Sequence, residues 1–205
     1  MTELIKPHGN KLVNGYCLEN EVDKYKKQSN HFISYTLNDR QYCDIELILN
    51  GAFSPLDGFM CQDDYESVLN NNRLKNKTIW PMPIVLDVDL KISKSIDISD
   101  SLALRDKEGY LIAILKVDDK WNYNKKLEAD KIYGTQDITH PGVRYLFENG
   151  GDVCLGGKLI GVEKPHHHDF LDIRLSPKET RDYFASKKWQ KTVAFQTRNP
   201  MHRAH

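Results

Sequence analysis

No stretch of this 205-residue sequence approaches the roughly 20 consecutive apolar residues that a bilayer span requires. The N-terminus, Met1-Thr2-Glu3-Leu4-Ile5-Lys6-Pro7, lacks the apolar core of a secretory signal. Net charge is also missing, with 29 Lys and Arg against 29 Asp and Glu. A dedicated nucleic-acid binder carries a basic surplus, so that class is disfavoured, with room left for a local basic pocket. The four cysteines, Cys17, Cys43, Cys61 and Cys154, are scattered and form no CxxC pair. Their spacing fits neither a zinc site nor a disulfide scaffold and points to a reducing, cytoplasmic setting. There is no HExxH motif, no internal repeat and no low-complexity tract. Metalloprotease, solenoid and linker readings therefore fall away.

What is present divides in two. Residues 39–49 predict a helix, with Thr36 and Asp39 as a capping pair, Ile45, Leu47, Ile48 and Leu49 as its apolar surface, and Asn50-Gly51 as its end. A turn-rich loop with apolar anchors follows to Met60, and Asp63 with Glu66 marks a short helix. Residues 84–88 are β-prone. Residues 101–105 and 110–115 flank Asp106-Lys107-Glu108-Gly109 and read as a hairpin. A helix is expected over 141–147. A strand over 153–162 is interrupted by Gly156-Gly157, the mark of a bulge or a close backbone approach. Together these describe a β-rich domain with peripheral helices, and 165–170, with His166, His167 and His168, reads as a connector.

After the connector the grammar becomes helix, strand, helix. Ser176-Pro177-Lys178-Glu179 is a capping box with proline at the first helical position, and Tyr183, Phe184 and Trp189 are candidates for the buried side of that helix. Thr192-Val193-Ala194-Phe195 has the short apolar character of a buried parallel strand. Asn199 then serves as N-cap and Pro200 as the first helical residue. A strand-to-helix turn in an open α/β sheet is where ligands bind, and a helix N-terminus favours anions. Here Gln196, Thr197, Arg198, Asn199, His202 and His205 crowd amide, hydroxyl, guanidinium and imidazole donors into ten residues. His202 and His205 share a helix face, and the Arg198 fork suits a tetrahedral oxyanion. Two histidines without a third ligand make a poor metal site.

The ten residues from Gln196 to His205, read QTRNPMHRAH, resemble the signature loop of the ATP sulfurylases. The segment from Cys43 to Met60, and within it LNGAFSPLDGF, is similar to that family's LNGGFSPLTGF pattern, departing at Ala52 and Asp57. Pro7-His8-Gly9 and residues 84–88 resemble it too. The likeness runs collinearly along the chain and is greatest to the fungal type. It implies a PUA-like β-barrel over 1–168 and the start of a Rossmann-like α/β nucleotidyltransferase domain over 169–205, an α+β arrangement. It also implies an activity that joins ATP and sulfate to give adenosine 5′-phosphosulfate and pyrophosphate. By this resemblance Gln196 and Arg198 bind sulfate, and Thr197 and Asn199 belong to the same loop. His202 and His205 meet ATP phosphates, and magnesium arrives with ATP rather than in a protein cage. The full-length enzyme is expected to be a homo-oligomer.

The family's later phosphate and adenine motifs do not occur before His205, so the isolated chain is expected to be inactive. The rival reading is a stand-alone PUA-like module for RNA or protein. Leu47, Phe53, Leu56 and Phe59 are expected to serve packing rather than a ligand platform.

Overall fold

The computed structural model describes residues 4–197. In chain order the helices are α1 (Val22–Ser29), α2 (Asp39–Leu49), α3 (Gln62–Asn71), α4 (Leu90–Ser95), α5 (Lys125–Glu128), α6 (Pro141–Glu148) and α7 (Pro177–Ser186). The strands are β1 (Ile33–Thr36), β2 (Gly58–Phe59), β3 (Leu86–Val88), β4 (Ser101–Arg105), β5 (Leu111–Asn122) and β6 (Val153–Gly161). They form one mixed sheet in the order β1-β4-β5-β6-β2, with β3 also pairing β6. The predicted hairpin is the β4–β5 pair, antiparallel with Leu102 opposite Leu115. β1 lies parallel to β4, a pairing that no local signal in the sequence announces.

Gly156 and Gly157 make the close approach read from the sequence. The β5–β6 register slips between Val117 and Asp119, opposite these two residues, so the bulged residue is Asp118 on the partner strand. Gly157 has φ +147, and a Cβ there would run into the Lys116 carbonyl, so only glycine fits. The first halves of the long middle strands, residues 111–115 of β5 and 153–157 of β6, are buried on both faces, as burial between layers requires. Leu86, Leu102, Leu104, Ile112, Leu115 and Leu155 are fully buried, and Ile45, Ile48 and Leu49 of α2 pack into the same core.

Two predicted caps are corrected. Thr36 does not cap α2, because it is the last residue of β1 and is held in register with Arg105. The capping box is Asn38 with Gln41: Asn38 Oδ1 accepts from Gln41 N at 2.9 Å, and Gln41 Oε1 accepts from Asn38 N at 3.1 Å. Asp63 is likewise not the cap of α3, which starts after Cys61. Its first free N–H, on Gln62, is satisfied by Asp119 Oδ2 at 2.8 Å, a group that comes from β5 and so is out of reach of local sequence reasoning.

The C-terminal segment also departs from expectation. The Ser176–Glu179 capping box and Pro177 form as predicted. Residues 192–195, however, form no strand. A parallel strand exists only with neighbours to share its ladder, and none of the six described strands pairs with these residues. Val193 is 93% exposed. The aromatic side of α7 is not buried either. Tyr183, Phe184 and Trp189 pack on one another, with Trp189 5.7 Å from Phe184 and 5.9 Å from Tyr183.

Candidate functional site

Of the six residues singled out in the last turn, two lie within the described structure. Gln196 is exposed and Thr197 half-buried, and both lie outside helix and strand. Arg198, Asn199, His202 and His205, with the helix start predicted at Asn199, fall outside the described residues. The segment that carries them is launched by α7, whose capping box ties Ser176 Oγ to Glu179 N and Glu179 Oε2 back to Ser176 N at 2.8 Å. The Ser176 hydroxyl, which donates to Glu179 Oε2 at 2.6 Å, and the Ser176 N–H hold the Glu179 carboxyl below the usual glutamate range.

The LNGAFSPLDGF stretch is built for packing. Gly51 has φ +90, the left-handed conformation that ends α2. Its carbonyl accepts from Ser54 Oγ at 2.6 Å, and that hydroxyl accepts from Val13 N at 2.9 Å. The whole turn is thus closed by one buried serine. Leu56 and Phe59 are buried, Phe53 stands edge-on to Trp80 at 5.8 Å, and Leu47 is half-buried. At Gly58 a Cβ would overlap the Gly157 carbonyl, so β2 reaches β6 only as glycine. These contacts account for the apolar residues of the segment by packing.

The histidine run acts as a fastening. His167 Nε2 lies 2.7 Å from Glu46 Oε1 of α2, and His166 stacks edge-on against Tyr110 at 6.1 Å. Among the described residues no three His, Cys, Asp or Glu side chains converge as a metal ion would require.

Sequence reasoning missed a buried polar network on the other face of α2. Asp87, 3% exposed, pairs with Arg40. Its Oδ2 accepts from Gly151 N at 2.6 Å, and its backbone carbonyl accepts from Gln41 Nε2 at 2.8 Å. Arg40 also donates to Asp44 Oδ2 at 2.7 Å and to the Tyr145 hydroxyl at 3.2 Å. Burial works against the Arg40 charge, but the carboxylates of Asp87 and Asp44 outweigh it and raise its pKa. Burial raises the Asp44 pKa, with Arg40 opposing. Nearby, Glu128 is 6% exposed and accepts from the Tyr123 hydroxyl at 3.0 Å. Its carboxyl is pushed up by burial, against the pull of the Tyr123 and Tyr65 hydroxyls. The available signal was Asp87 itself, one charge inside the apolar run 84–88, which demands a buried partner. The network pins α2, α6 and β3 together.

Residues 5–164 match the model of the PUA-like domain, and the chain belongs to that family. Residues 171–205 match the ATP-sulfurylase model. More particularly, the chain resembles sulfate adenylyltransferases along nearly its whole length. It is 44% identical to that of Eremothecium gossypii over 203 residues, 98% of this chain and 40% of that protein. It is 46% identical to that of Schizosaccharomyces pombe over 185 residues, 89% of this chain and 38% of that protein. Among solved structures it is similar to a hexameric APS kinase from Thiobacillus denitrificans, with TM-score 0.77, 32% identity, and coverage of 98% of this chain and 36% of that one. The chain therefore spans about two fifths of the length of the curated relatives it matches.

Proposed function

We propose that this chain supplies the PUA-like domain and the substrate-binding loop of a sulfate adenylyltransferase, which converts ATP and sulfate into adenosine 5′-phosphosulfate and pyrophosphate. The observation that carries this reading is the collinear likeness: 44% identity across 98% of the chain to a protein named for that activity, with the ATP-sulfurylase match running through residues 171–205.

In this reading residues 1–168 are a PUA-like β-barrel unit, and 169–205 open a Rossmann-like α/β domain. The exposed apolar side chains after the connector, Phe170, Leu171, Ile173, Val193 and Phe195, are the part of that domain's core that further chain, of the length the relatives have, would cover. Gln196 and Arg198 hold sulfate, and Thr197 and Asn199 belong to the same loop. His202 and His205 hold the ATP phosphates. A sulfate oxygen attacks the α-phosphorus, the new P–O bond forms as the bond to the β-phosphate oxygen breaks, and the electron pair leaves with pyrophosphate. The protein contributes orientation and cationic donors where negative charge builds.

Magnesium neutralises phosphate charge when it arrives with ATP. We place it on the nucleotide, in keeping with its preference for phosphate oxygens and water over an all-protein cage. The four cysteines are unpaired and no described helix is long and apolar enough to cross a membrane, which supports a cytoplasmic setting. The structural relative is titled hexameric, which supports a homo-oligomeric enzyme. We further propose that the 205 residues alone do not turn over ATP. The test is pyrophosphate release by the isolated chain, where none is expected, against the chain continued with the remaining part of the S. pombe relative, where sulfate-dependent release is expected.

A further inference from the structure

We infer that the cleft between the end of α2 and the start of α7 is a binding site for a tetrahedral oxyanion of the sulfate or phosphate class. The cleft is open to solvent and has a volume of about 620 Å³, within the range of small-molecule sites, which are mostly apolar with a few convergent polar groups. Its apolar walls come from Pro7, Leu12, Leu47 and Leu175, and its polar groups include Arg174, Arg181, Asn50 and Glu46. None of these belongs to the segment 196–205.

The charge balance favours an anion. Two guanidinium groups face one carboxylate, and that carboxylate, Glu46, is already engaged by His167 at 2.7 Å. Arg174 is weakly committed: its ion-pair partner is Asp169 at 3.8 Å, with the two side chains 44% and 70% exposed, and such pairs hold little energy. Its planar fork is left to meet an oxyanion through two parallel N–H bonds. Arg181 is anchored by one nitrogen, Nη2, to the Ile5 carbonyl at 2.7 Å. That bond fixes the side chain in place and leaves its remaining N–H groups available. Asn50 uses its side-chain oxygen to accept from Ala52 N at 2.9 Å, which leaves its NH2 as a neutral donor. One anchored arginine, one uncommitted arginine and an amide beside an apolar floor supply the donors of an oxyanion cradle, and the floor accommodates an organic body if the oxyanion is an ester. The site also couples two parts of the chain, since an anion held there ties α7 to α2.

The test is calorimetric titration of the full 205-residue chain with sodium sulfate, and separately with inorganic phosphate, at constant ionic strength. The expected result is saturable binding that weakens tenfold or more in Arg174→Ala and again in Arg181→Ala, and is unchanged in Lys94→Ala, which removes an exposed charge outside the cleft. Arg181→Lys, which keeps a charge at the same place, should restore part of the affinity. Glu46→Gln removes the sole carboxylate among the cleft's lining residues and should tighten binding, an effect that a purely structural role would not produce. Absence of saturable binding overturns the inference. So does binding lost in Arg198→Ala but intact in Arg174→Ala and Arg181→Ala, which would place the anion on the signature loop and leave the proposed function standing.

Discussion

Replacing Asp87 with alanine should be among the most damaging single changes in the PUA-like domain. The carboxylate is 3% exposed and is the shared acceptor for Arg40 and the Gly151 N–H. Removing one partner of a buried ion pair costs about 3–5 kcal/mol. The Arg40 side chain is 32% exposed and retains Asp44 at 2.7 Å, so water and a second carboxylate soften the loss. The orphaned Gly151 N–H adds about 1 kcal/mol or more. The expected total is about 3 kcal/mol. With a urea slope of about 2 kcal/mol/M, the unfolding midpoint followed by circular dichroism should fall by about 1.5 M. Arg40→Ala and the double variant complete a cycle, and their coupling should be about 2 kcal/mol. A cost below about 1 kcal/mol for Asp87→Ala, or singles that add with no coupling, would refute the assignment of this network as the fastening of α2 to β3.

Glu128→Gln should stabilise the chain near neutral pH. Burial raises the folded-state pKa of Glu128 above its ordinary value of 4.5, so the folded form holds this proton more tightly than the unfolded one. The stability linked to that proton is complete below pH 4.5 and is lost as pH rises through the folded value. The advantage of glutamine should therefore shrink as pH is lowered to 4.5, and a pH-independent difference in urea midpoints would contradict this. Gly58→Ala should destabilise by about 3 kcal/mol, because its Cβ would overlap the Gly157 carbonyl; thermal melting checks it, and an unchanged midpoint would mean that β2 can shift off β6. In the chain continued to the relatives' length, His202→Ala should lower kcat more than it raises KM for ATP, the sign of an interaction that tightens in the transition state. Wild-type kinetics would remove His202 from the mechanism.

Legibility in the sequence followed the range of the interactions involved. Elements fixed by local chemistry were readable: the hairpin around Asp106–Gly109, the α7 capping box, and the glycine pair opposite the β5 bulge. What failed depended on distant partners. Thr36 looked like a cap, but β4 claimed it for the sheet. The α3 cap was misread because Asp119, 57 residues away, supplies the acceptor. Thr192–Phe195 has the composition of a buried strand, yet composition makes a strand only where neighbours share hydrogen bonds. The Arg40–Asp87 pair joins residues 47 positions apart, beyond any periodicity. Of the candidate site, sequence supplied the residue types and their order, whereas the described structure covers Gln196 and Thr197 alone.

The measurement that tests the central claim most directly is sulfate-dependent exchange of labelled pyrophosphate into ATP. It should be made on the chain continued with the remaining part of the S. pombe relative, with and without Arg198→Ala. The account predicts exchange that requires the added polypeptide, disappears without sulfate and is severely reduced in Arg198→Ala while the thermal midpoint is preserved. Exchange that ignores sulfate, or that survives Arg198→Ala unchanged, would contradict it.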